Sequence, residues 1–183
     1  MTKLEEMFFN NHRILAIAPQ YHVKYASAIY TVQKAETFHS LHTCTRNMET
    51  YCLLNGSSLE GRKLSSRKCF KDVKNPSILI SDPLAIAAFQ VPTVDNLDTI
   101  WIMDIFGAKI ESLPNNHTVI TLSSGVELIT SLPANLVEKR REKALNLLKT
   151  NALKYSLSHK FPFNIAASHI NHSSLNHYIH PSP

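Results

Sequence analysis

Between Cys52 and Lys74 the chain reads CLLNGSSLEGRKLSSRKCFKDVK. Just upstream, apolar Cys44, Met48, Tyr51 and Cys52 recur at helical spacing, which predicts a helix over Thr43–Leu54. Gly56 then falls where a left-handed stop residue belongs. Ser57 or Ser58 can cap a second helix starting near Leu59, its hydroxyl accepting from a first-turn N–H that has no partner within the helix. On that helix Lys63, Arg67, Lys71 and Lys74 are spaced four, four and three apart, so they would line one face as a cationic stripe. Phe70 and Val73 are candidates for its buried side. Gly61 weakens the helix from within, and Asn75-Pro76 ends it.

Beyond Pro76 the pattern changes to sheet. Ser77–Ser81, Ala85–Val91 and Thr99–Met103 are short apolar runs bounded by turn signals at Asp82-Pro83, Pro92 and Asp95-Asn96. Ile105–Leu113, Val119–Leu122 and Val126–Leu132 follow, with Pro114-Asn115-Asn116 and Ser123-Ser124-Gly125 as hairpin turns. Before the helices, Arg13–Pro19 and Ala28–Gln33 also read as strands. After Pro133, Asn135 with Glu138 has the spacing of a capping box, and a helix is expected to about Tyr155. Its apolar stripe is Leu136, Val137, Ala144, Leu145, Leu148, Ala152 and Leu153. The fold class expected is α+β: a mostly antiparallel sheet, two short helices before its central strands, and a longer C-terminal helix. One domain is expected over 1–157, with a poorly ordered His- and Asn-rich tail over 158–183.

Charge is unevenly distributed. Residues 59–75 hold six basic and two acidic side chains, and residues 135–160 hold seven and two. Between them, residues 76–134 set Lys109 against Asp82, Asp95, Asp98, Asp104, Glu111 and Glu127. The net charge of +5 therefore understates two cationic segments flanking an anionic middle. Such segments either form a solvated face or grip something negatively charged.

Other functions are disfavoured. No apolar run approaches the ~20 residues of a membrane span, and the N-terminus lacks the charge pattern and small-residue cleavage site of a secretory signal. Cys44, Cys52 and Cys69 are odd in number and irregularly spaced, which fits a reducing compartment and a cytoplasmic protein. No CxxC pattern offers zinc a site. The tail histidines His169, His172, His177 and His180 form two HxxH pairs without an accompanying carboxylate or cysteine. Ser123-Ser124-Gly125 lies in a hairpin, not a nucleophile elbow, and Gly56–Gly61 matches neither phosphate-loop pattern. Neither an enzyme, nor a metal, nor any other cofactor is called for. Trp101, in an apolar strand, reads as core.

The string Cys52, Gly56, Ser57, Ser58, Gly61, Arg62, Lys63 resembles the ComK family of competence transcription factors of Gram-positive bacteria. The resemblance continues through Pro76 and Ile78, Asp82-Pro83, Pro92-Thr93, Trp101 and the hairpin from Ile120 to Pro133, covering roughly residues 45–145. It implies activation of DNA-uptake genes by binding AT-rich promoter boxes in duplex DNA, through the minor groove and as a homo-oligomer, associated with the nucleoid when bound. It also implies recognition by a protease adaptor, for which Phe161-Pro162-Phe163 is the sole faintly similar patch.

On this basis the DNA-contacting residues expected are Ser57, Ser58, Arg62, Lys63, Arg67, Lys68, Lys71 and Lys74. The helix start would receive phosphate, and Arg62 and Arg67 would enter a narrow A-tract groove. Lys139, Arg140, Arg141 and Lys143 would form a second contact with DNA or with a partner subunit. About six phosphate contacts would give a log–log salt slope near −5. The rival reading is a protein-interaction module without DNA binding, whose basic helices dock an acidic partner.

Overall fold

Two meanders joined along one seam make the central sheet. β1 (Ile14–Pro19), β2 (Ser27–Thr31) and β3 (Phe38–Ser40) form the first; β4 (Ile78–Ser81), β5 (Ile86–Pro92) and β6 (Thr99–Ile102) form the second. The strand order is β3-β2-β1-β6-β5-β4, and every neighbouring pair is antiparallel. At the seam, Ala16 pairs with Ile102 and Ile17 with Trp101. A separate three-stranded antiparallel sheet follows: β7 (Lys109–Ser112), β8 (Thr118–Thr121) and β9 (Glu127–Thr130). The helices are α1 (Lys3–Asn11), α2 (Cys44–Leu54), α3 (Leu59–Phe70) and α4 (Ala134–Lys160).

This computed structural model describes residues 3–21, 24–71 and 74–160, without the side chains of Leu4, Glu5 and residues 154–160. The tail histidines, Phe161-Pro162-Phe163 and Val73 lie outside the described residues. The chain divides into two units, Met1–Asn151 and Ala152–Pro183, and the first holds both sheets.

Strand alternation sends side chains to two cores. Leu15, Ala18, Phe89, Val91, Ile100 and Ile102 face one side, where Ile120, Leu122 and Leu128 of the small sheet and Val137 and Ala144 of α4 cover them. Ile17, Ile29, Ala88 and Trp101 face the other, against Phe9 of α1, Met48, Tyr51 and Cys52 of α2, and Leu59 of α3. Because both faces are covered, the strands read as apolar runs, not as alternating ones. Trp101 is 1 % exposed and belongs to the second core.

The α+β class and the order of its main elements agree with the expectation. Four details differ. α1 was not anticipated, although Leu4, Met7 and Phe8 stand at the i, i+3, i+4 spacing of a helix face. Phe9 stacks on Tyr51 at 5.1 Å, and Phe8 meets Phe38 at 5.0 Å. β3 is three residues long and gives no pattern to read. The run Ile105–Leu113 yields strand only from Lys109, because Asp104 accepts the N–H groups of Gly107 (3.1 Å) and Ser123 (2.6 Å) and folds the preceding residues into a turn. In α4, Leu136 and Leu153 are exposed at 41 % and 63 %, while Leu147, outside the expected stripe, is buried. Nor is Asn135 the cap: Pro133 O already accepts from Leu136 N and Val137 N, which places Asn135 inside the first turn.

Candidate nucleic-acid interface

The GSS connector begins with backbone hydrogen bonds that close α2. Gly56 sits at φ +83°, Gly56 N donates to Leu53 O at 3.0 Å, and Ser57 N donates to Cys52 O at 3.1 Å. This pair of bonds is the Schellman closure of a helix, with glycine at its left-handed position. One residue later Ser58 caps α3, its Oγ accepting from Gly61 N at 3.0 Å. A Cβ at Gly61 would lie 3.0 Å from Ser57 Oγ and 3.1 Å from Ser58 Oγ, so a larger residue there would make the serine hydroxyls give by a few tenths of an ångström.

The start of α3 is also closed by a charge from within the chain. Leu59 N donates to Glu49 Oε2 on α2 at 2.8 Å. A carboxylate thus occupies the favourable position at the positive end of the helix. Two of the first N–H groups of α3 are consequently satisfied internally, at the place where phosphate was expected.

The basic side chains of α3 separate into distinct environments. Arg62 turns back, its Nη2 donating to Asn55 O at 2.7 Å, while its Nε is buried without a partner among the described residues. It clamps the connector. Arg67 pairs with Glu60 at 2.9 Å, with the two side chains 36 % and 71 % exposed. So exposed a pair is worth roughly 0–1 kcal/mol and opens readily. Lys63 is half-buried and Lys68 exposed, and neither makes an ion pair among the described residues.

The stripe is shorter than expected. α3 stops at Phe70, and Lys71 turns left-handed at φ 52°. This is five residues short of the stop expected at Asn75-Pro76, where Asn75 also sits at positive φ, 47°. Lys63 and Arg67 therefore share a helix face, whereas Lys71 caps the helix and Lys74 lies beyond it. Both Lys71 and Lys74 are exposed and make no ion pair among the described residues. The buried positions of α3 are Leu59 and Ser66, and Phe70 is half-buried. Ser66 was not anticipated; a small side chain there lets the helix approach its neighbours closely.

The second basic set behaves differently. Arg140 Nη1 donates to Gln90 O on β5 at 2.6 Å, and its own carbonyl accepts from Ser77 Oγ at 2.9 Å. Arg141 Nη1 donates to Ala108 O at 3.0 Å, and its Nη2 pairs with Glu138 at 2.7 Å. These two arginines fasten α4 to β5 and to the turn before β7. Lys143 is half-buried and already engaged. Lys139 is the fully exposed member of the four. Sequence spacing could not show this, because which flank of an amphipathic helix faces a carbonyl-rich sheet rim depends on tertiary placement.

Burial pushes the Cys52 thiol and the Tyr51 hydroxyl up to about 12 and raises the Cys44 thiol further, so all three stay neutral. No group of three metal-ligating side chains gathers among the described residues, and no described helix is long and apolar enough to cross a membrane.

The chain belongs to the ComK family, whose model, described as ComK protein, matches residues 5–161. The family is one of competence-related transcription factors, not enzymes. No curated protein and no solved structure matches the chain.

Proposed function

We propose that the chain activates competence genes by binding AT-rich duplex DNA through the cations of α3 and of the segment after it. The observation that carries the reading is that Lys63 and Lys68 on α3, and Lys71 and Lys74 just after it, make no ion pair among the described residues. Lysines of this kind fix position on the phosphate rails without reading sequence. Arg67 is the groove-entering side chain in this reading, since its bond to Glu60 lies in water and costs little to exchange for a narrow, strongly negative groove. Arg62, held on Asn55 O, shapes the connector and does not read bases. Ser57 and Ser58 position the helix, and Lys139 is the remaining candidate for a second contact. A two-fold oligomer would match inverted A/T boxes. Work on DNA places the protein in the cytoplasm, at the nucleoid.

Four phosphate contacts predict a log–log salt slope of about −3.6 for duplex DNA. Mobility-shift titration on an A-tract duplex and on a GC-rich duplex, at several salt concentrations, is the test. A slope near zero, or equal affinity for both duplexes, refutes the reading and leaves the protein-interaction module in its place.

A further inference from the structure

On the other side of the central sheet, the end of β1, the turn after β5 and the strand β9 enclose a groove of about 360 Å³. Its floor is Ala18, Tyr30, Ile100 and Leu128. Its rim carries Tyr21, Val94 and Ile129, which are 72 %, 44 % and 46 % exposed. Leu97, at the tip of the same turn, is 82 % exposed. Isolated exposed apolar side chains need no explanation, but several around one concavity mark a contact surface.

The charge of the groove is unusual for this chain. With 19 Lys and Arg against 14 Asp and Glu overall, the groove is lined by Asp95 and Glu127 and by no Lys, Arg or His among the described residues. It would repel a nucleic acid.

The groove is also held in shape. Asp95 accepts from Thr93 Oγ, from Leu97 N at 3.1 Å and from Tyr21 Oη at 3.3 Å. These bonds, that of Thr93 first, lower its pKa and keep it charged. Thr130 Oγ donates to Pro92 O at 2.6 Å, and Ser131 Oγ to Asn96 Oδ1 at 2.7 Å, which ties β9 to the turn. A preformed site avoids the ordering cost of binding. β9 is an edge strand of its sheet, so an extended segment lying along it has backbone groups to meet.

We propose that this groove docks an extended basic peptide segment of another protein, with an aliphatic side chain between Tyr21 and Ile129 and Lys or Arg side chains against Asp95 and Glu127. Charge complementarity selects this occupant. The surface is separate from α3, so docking and DNA binding would be compatible.

The experiment titrates the isotope-labelled full chain with the synthetic peptide KLKLK and with its counterpart ELELE, following backbone amide signals by NMR. KLKLK is expected to shift Val94, Asp95, Leu128 and Ile129 saturably, and ELELE to leave them in place. Glu127→Lys and Ile129→Ser, both at exposed positions, should each weaken KLKLK binding at least fivefold while the remaining amide signals keep their positions. No saturable shift at these four residues, or equal shifts with both peptides, overturns the proposal. So do shifts that depend on protein concentration without any peptide and vanish in Ile129→Ser, because a second copy of the chain would then be the occupant.

Discussion

At Gly107 a single hydrogen stands where a methyl group cannot. A Cβ there would lie 2.6 Å from Asp104 Oδ1 and 2.9 Å from the Ser123 side chain. Asp104 is 2 % exposed and holds the turn that launches the small sheet. Gly107→Ala should therefore destabilise the fold by about 1–3 kcal/mol, read as a lowered urea midpoint with an unchanged slope. An unaltered midpoint would show that the turn yields. The cysteines allow a second test. Cys44 and Cys52 are buried and Cys69 is exposed. A thiol reagent near pH 8 should label one cysteine per native chain and three after denaturation, with Cys69 identified by mass mapping. Labelling of Cys52 in the native protein would contradict its burial.

The connector between α2 and α3 was the most legible element. Gly56 as stop, a serine cap and helices on either side are all written locally, and local chemistry decides them. The partner of Leu59 N was not legible, because Glu49 lies ten residues away on another helix. Glu49→Gln keeps an acceptor but removes the charge, and should lower stability by about 0.5–1 kcal/mol through the weakened interaction with the helix end. The reach of α3 was overestimated because charge spacing continued smoothly through Lys74, while the chain already turns left-handed at Lys71, a residue type that does not announce a stop. The two basic helices should respond oppositely to mutation. Lys68→Ala and Lys71→Ala should each reduce the magnitude of the salt slope by about one with little change in Tm. Arg140→Ala and Arg141→Ala should each lower stability by about 1–3 kcal/mol, since each leaves a carbonyl beneath α4 without its donor, and should keep the salt slope. A slope that moves with Arg140 and not with Lys68 would place the DNA on α4.

For the molecule as a whole, the apolar runs disclosed the sheet but not its order. Nothing in a strand's composition says that β1 neighbours β6, since side-chain alternation is satisfied by many orders. Burial in the core beneath α1, α2 and α3 also carries a pH signature. The Cys52 thiol is raised from 9.0 to about 12 and Tyr51 from 10.0 to about 12, each chiefly by burial. Below about pH 9 both states keep these protons, and these groups make no contribution to the pH dependence. Above it the unfolded chain releases them while the native chain retains them, so stability should fall steadily toward pH 12. Thermal unfolding followed by Trp101 fluorescence at pH 8, 9, 10 and 11 should show Tm declining from pH 9 upward. A flat profile would mean these groups reach solvent in the native state.

The seam where Ala16 meets Ile102 has a consequence during synthesis. A nascent chain emerges from the ribosome with its first three strands, complete at Ser40, able to form a hairpin stack, but the inner edge of β1 stays bare until the 62 residues from Leu41 to Ile102 have followed. Throughout that interval the unpaired backbone of a largely aliphatic strand is open to any neighbouring chain. Yield of folded protein should therefore depend on translation rate and on holdase chaperones more than the final stability would suggest.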